Sequence, residues 1–128
     1  MKTVAASSLI NLLAFPEEFS GHRNVLDDNL IAPAILVPEF LSGIRKLAIR
    51  RRIPTNLVNR IVNRFEGLQV ELFTMSAYRR ELWTMTKNFS PYDATYVLLA
   101  QTTHTPLITS DARMAKAAQR NTEIILLR

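Results

Sequence analysis

Short apolar runs alternate with stretches of helical period along this chain, and the alternation predicts an α/β protein. Lys2–Ala5 reads as a short strand and Ser7–Ala14 as a helix, with Ser7 or Ser8 as its N-cap. Pro16 and Gly21 punctuate a loop, and a second short helix runs to about Leu26. Leu30-Ile31-Ala32 is a brief apolar run that stops at Pro33. A long helix ends near Arg52, with Phe40, Leu41, Ile44, Leu47 and Ala48 on one face of a 3.6-residue period. Pro38 falls in its opening turns, and Pro54 closes it off. Thr55–Phe65 is a further helix, with Gly67 as its expected C-terminal cap. The alternation in Leu68–Phe73 reads as a strand, and Ala77–Lys87 as a helix. Ser90-Pro91-Tyr92-Asp93 starts a helix through about Thr102. Pro106–Thr109, Asp111–Arg120 and Glu123–Leu127 then read as strand, helix and strand.

Strands separated by helices predict a parallel sheet covered on both faces. Right-handed crossovers then place every strand-to-helix turn along one edge, where open α/β sheets bind ligands. That makes the first such turn, Ala5-Ala6, conspicuous, because it carries no functional group.

Composition narrows the possibilities. At 128 residues, 48% apolar and 21% charged, the chain is expected to be one domain with an ordinary globular core. It has no cysteine, which excludes a disulfide framework, a thiolate nucleophile and a sulfur-ligated zinc site. That is consistent with a reducing, cytoplasmic setting. No apolar run is long enough to span a bilayer, so no membrane association is expected. Residues 4–15 are not a signal-peptide core, because Asn11 interrupts them and no cleavage site follows Phe15-Pro16-Glu17-Glu18. Three glycines in total exclude Walker and dinucleotide fingerprints. His22 and His104 have no metal-ligand spacing and no nucleophile partner, so both read as loop residues. The net charge of +5 and the pI near 10.1 favour a polyanionic partner.

Three acids stand near helix starts: Glu39, Asp93 and Asp111. Gathered at one sheet edge, oxygen ligands without Cys or His suit Mg²⁺ or Mn²⁺. Each also has a local explanation. Asp93 completes a Ser-x-x-Asp variant of the capping box, and Asp111 reads as an N-cap or first-turn acid facing the helix dipole. Glu39 reads equally as a solvated helix residue.

The stretch PYDATYVLLAQTTHTPLITSDARMAKAA, residues 91–118, resembles the C-terminal half of a PIN domain of the VapC toxin type. Tyr92-Asp93-Ala94, Leu99-Ala100, Thr109 and Asp111 fall at the family's spacing. APAILVPEFLSGIRKL, residues 32–47, resembles the helix that carries the family's glutamate, here Glu39. Glu81-Leu82-Trp83 and Asn88-Phe89-Ser90 match the approach to the third motif. The resemblance spans essentially the whole chain, 1–128. It implies a three-layer α/β/α sandwich on a central parallel sheet of four to five strands. It also implies a Mg²⁺- or Mn²⁺-dependent endoribonuclease, the toxin of a type II toxin–antitoxin module acting on structured RNA of the tRNA or rRNA class. Asp93, Asp111 and Glu39 would then form the catalytic and metal-binding set, supported by Ser7 and Thr109. The expected partners are the RNA, a VapB-type antitoxin lying across the groove, and a second copy of the chain.

One position departs from the pattern. The family's first motif is a strand ending in aspartate, then a small residue, then Ser or Thr. Val4-Ala5-Ala6-Ser7 keeps every part except the aspartate, so Ala5 occupies the place of the first metal ligand. Losing one of about four carboxylates weakens a hard-cation site sharply, which predicts an impaired enzyme. Two readings stay open: a natural, degenerate member that binds RNA or protein without cutting, or an engineered Asp-to-Ala change. The intact remainder of the constellation favours the second.

The cations Arg45, Arg79, Arg80, Arg113 and Lys116 are candidates for phosphate contact. The run Arg50-Arg51-Arg52 reads as a solvated helix end.

Overall fold

The computed structural model describes all residues, Met1–Arg128. Five strands, β1 (Lys2–Val4), β2 (Leu30–Pro33), β3 (Val70–Phe73), β4 (Leu107–Thr109) and β5 (Ile124–Leu126), form one sheet in the order β3-β2-β1-β4-β5. Every pairing is parallel. The inner strands are apolar on both faces, as a covered sheet requires: Val4, Leu107 and Ile108 are fully buried, and all of β2 is buried. The edge strand β3 exposes Glu71 and Leu72.

Helices α1 (Ala6–Ala14), α2 (Leu36–Ile49) and α3 (Thr55–Gly67) pack on one another over one face. Helices α4 (Arg79–Thr84), α5 (Pro91–Thr103) and α6 (Ala112–Ala118) cover the other, with α5 lying against β1, β2 and β4. The architecture is therefore a three-layer α/β/α sandwich. The stacked rings of Phe40 and Phe65, centroids 3.9 Å apart and 16° from coplanar, join α2 to α3. Gly43 lets α1 and α2 approach closely, because a Cβ there would press on Ile10 Cδ1.

The winding positions the site. From β1 the chain moves outward to β2 and β3, then returns by α4 and α5 to β4 on the opposite side of β1. The winding direction thus reverses between β1 and β4. That crevice, outside the carboxyl ends of the strands, is where doubly wound sheets place ligands.

Several local expectations are corrected. Neither Ser7 nor Ser8 caps α1; the N-cap is Ala5, extended at φ −84° and ψ 152°, with no side-chain cap bond. Ser8 instead turns inward and donates its buried hydroxyl to the Ala5 carbonyl (2.8 Å) and the Ile108 carbonyl (3.1 Å). Gly67 is the last residue of α3 and has no positive φ, so it is not a left-handed cap. The long helix ends at Ile49 rather than near Arg52, because Arg51 enters the left-handed region at φ 55° and stops it. Residues 77–87 are not one helix: 3-10 turns at Ser76–Tyr78 and Met85–Lys87 flank the short α4. The segment after Pro16 is a 3-10 helix, Ser20–Asp27.

Candidate active site

The carboxyl ends of β1 and β4 are tied together by hydroxyl groups. The Ala5 N–H donates to the Ile108 carbonyl at 2.9 Å, continuing the ladder one residue beyond β1. Ser7 Oγ accepts from the Ser110 N–H at 3.1 Å and lies 3.3 Å from Thr109 Oγ1. Thr109 Oγ1 in turn accepts the Asp111 N–H at 3.0 Å. The buried Thr109 and half-buried Ser7 therefore fix the backbone on which Asp111 is mounted.

Asp111 caps α6. Its Oδ1 accepts from the N–H groups of Arg113 (2.9 Å) and Met114 (3.2 Å), so those bonds draw on one carboxylate oxygen. Asp93 sits in the first turn of α5, where its own N–H donates to the Ser90 hydroxyl at 3.1 Å. Both carboxylates line one concavity of about 410 Å³ with Asn88, Ser90 and Arg113. The Asp93 pKa is raised above the ordinary 3.8 by burial first and by the Asp111 charge second; the Ser90 hydroxyl and the Arg113 guanidinium oppose the shift.

Glu39, in the first turn of α2, is half-buried and engaged elsewhere. Its Oε1 accepts the Tyr96 hydroxyl at 2.6 Å. Burial and then that bond to Glu39 push the Tyr96 phenol far above its ordinary value, while the Ala6 backbone N–H opposes the shift. The Tyr96 hydroxyl thus lies at the N-terminus of α1, beside Ala5. Tyr96 falls within the PIN-like stretch 91–118, but nothing in the sequence assigned it this tether to Glu39. The available signal was its place three residues after Asp93, on the same helix face.

Ala5 itself is buried, 2% exposed, within the main apolar cluster. It stands just past the carboxyl end of β1, at the winding reversal, and its side chain is only a methyl group. No three Asp, Glu, His or Cys side chains gather closely enough to hold a metal ion. The carboxylates present therefore do not fit a cation held by three protein ligands.

The basic candidates divide. Arg113 borders the Asp93–Asp111 concavity, and Lys116 is exposed one turn further along α6. Arg79 lines a second concavity, with residues just past the ends of β2 and β3. Arg80 is exposed beside it, whereas exposed Arg45 lies in the later turns of α2, away from the strand ends. His104 takes the left-handed position that ends α5, at φ 54° and ψ 42°, a structural role.

A parallel α/β/α sandwich with two aspartates beside its winding reversal places acidic groups where open α/β sheets bind ligands. The family follows from comparison: residues 4–120 match the PIN domain, and the chain belongs to that family. Ribonuclease VapC9 of Mycobacterium tuberculosis is 27% identical over 116 residues, covering 91% of each chain. Ribonuclease VapC12 of the same organism is 27% identical over 128 residues, covering 99% of each. Among solved structures, PAE2754 from Pyrobaculum aerophilum has the same fold, with a TM-score of 0.69 at 19% identity over 96% of this chain and 89% of that one.

Proposed function

We propose that the chain is a toxin-type endoribonuclease whose acidic site is one carboxylate short. Its scaffold suits metal-dependent cleavage of structured RNA, and its cellular counterpart would be a VapB-type antitoxin. The observation that carries this reading is the pairing of Asp93 and Asp111 in one concavity at the winding reversal, with Ala5 at the neighbouring strand end. The relatives named as VapC ribonucleases support it over nearly their full lengths.

With a carboxylate at position 5 joining Asp93 and Asp111, a divalent cation held there would supply an activated water and neutralise phosphodiester charge. Within the chain, Thr109 and Ser7 would hold Asp111 in place, and Arg113 would meet a phosphate entering beside the two aspartates. Tyr96 would keep Glu39 turned toward the first strand. With alanine at position 5 no cleavage step is assigned to this form.

A second reading, a PIN-like module that binds RNA or protein without cutting, is favoured by the lack of any three-carboxylate group. Ala5→Asp separates the two. If it confers Mg²⁺- or Mn²⁺-dependent cleavage of structured RNA on an inert parent, the nuclease reading stands. If it confers neither cation binding nor cleavage, the binding module replaces it.

A further inference from the structure

Of the chain's aromatic residues only Trp83 and Tyr92 are exposed, 68% and 59% respectively; every other ring is buried or half-buried. Isolated exposed rings are ordinary, but these two stand on consecutive helices, α4 and α5, in a stretch that also carries Arg79, Arg80 and Lys87. Trp83 follows Arg79 by four residues and Arg80 by three on α4, so helical spacing puts both guanidinium groups on its face. Exposed Lys87 follows in the next turn. Arg79 reaches the strand ends, where it lines a concavity with Ala34, Thr74 and Thr95. Thr95 donates its hydroxyl to the Tyr92 carbonyl at 2.6 Å, and Tyr92 immediately precedes Asp93. Arg79 and Thr95 thus share one concavity at the strand ends, with exposed Trp83 one helical turn beyond Arg79 and exposed Tyr92 next to Asp93.

We infer that Trp83 and Tyr92 are stacking platforms for unpaired bases of an RNA strand led into the Asp93–Asp111 concavity. The inference rests on the ribonuclease reading and names the side chains that would receive the unpaired, splayed bases of its substrate. A duplex offers phosphates but no free base faces. The cations hold the backbone and confer salt dependence, whereas the rings act on bases and add a component insensitive to salt.

Trp83 is the only tryptophan, so its fluorescence reports on that ring directly. The test titrates the unaltered chain, in EDTA, with a short single-stranded oligoribonucleotide, its blunt duplex, heparin and polyglutamate. Quenching by the single strand, with much less from duplex or heparin, is expected. By anisotropy of the labelled strand, Trp83→Ala and Tyr92→Ala should each weaken binding by about tenfold without changing the salt slope. The double variant Arg79→Ala/Arg80→Ala should lower that slope by about one to two. Both rings are exposed, so circular dichroism should show the variants folded. Parent-like affinity of both folded aromatic variants overturns the inference. So does quenching by heparin equal to that by RNA, which marks charge alone, or quenching by polyglutamate alone, which marks a protein surface. Because EDTA excludes metal-dependent cleavage, failure here is distinct from failure of Ala5→Asp to cut.

Discussion

The Tyr96 hydroxyl donates to Glu39 Oε1 at 2.6 Å, joining the core of α5 to the first turn of α2 beneath the N-terminus of α1. Tyr96 is 1% exposed, so its ring belongs to the apolar core while its hydroxyl serves the site edge. Tyr96→Phe keeps the ring and deletes only the bond. We predict a loss of about 1–2 kcal/mol, toward the low end for a bond to a charged group because half-buried Glu39 can turn to water. Urea denaturation with an unchanged slope checks it. A loss below a few tenths would mean that the tether is energetically idle.

The paired aspartates make a prediction about protons. Because burial and Asp111 raise the Asp93 pKa above 3.8, the folded chain holds that proton more tightly than the unfolded chain does. This contribution to stability therefore falls as pH rises from 3.8 through the folded-state value, and the ionised pair carries a net cost above it. Asp111→Asn removes the charge yet keeps an oxygen that can cap α6. The Asp93 midpoint, followed by carboxyl carbon NMR, should move down toward 3.8 and stay above it, since burial is the larger cause. An unchanged midpoint would contradict the coupling.

His104 stops α5 in a left-handed conformation that a β-carbon disfavours. His104→Gly should raise stability by about 0.5–1 kcal/mol, seen as a higher Tm with no change in RNA binding. A fall in Tm would assign the imidazole a contact beyond this backbone role.

Much of the fold was legible because its signals are local. Buried strands such as Leu30–Ala32 are short apolar runs, and Ser90-Pro91 announces α5 with both an N-cap and a first-turn proline. What sequence periodicity could not supply was conformation enforced by the tertiary structure. Arg51 and His104 adopt left-handed backbones that glycine would have advertised, while Gly67 has none. Ser8 gives up the capping role for the local Ala5 carbonyl and for the Ile108 carbonyl, which β4 brings to it across a hundred residues of chain. Asp93 and Asp111 had helix-capping explanations as good as any site role, and only the resemblance to PIN domains singled them out. The Tyr96–Glu39 bond was not legible, because a tyrosine in an apolar helix face looks like core until its partner element is placed.

On the function proposed, position 5 is the absent corner of an acidic site at the winding reversal. The most direct test is Mn²⁺ calorimetry of the chain and of Ala5→Asp, with cleavage of a structured RNA followed in the same samples. Feeble binding and no metal-dependent cleavage are expected of the alanine form. Ala5→Asp should bind at least about tenfold more tightly and cut in a cation-dependent manner. Equal cation affinity in the two forms, with no cleavage by either, would contradict that function.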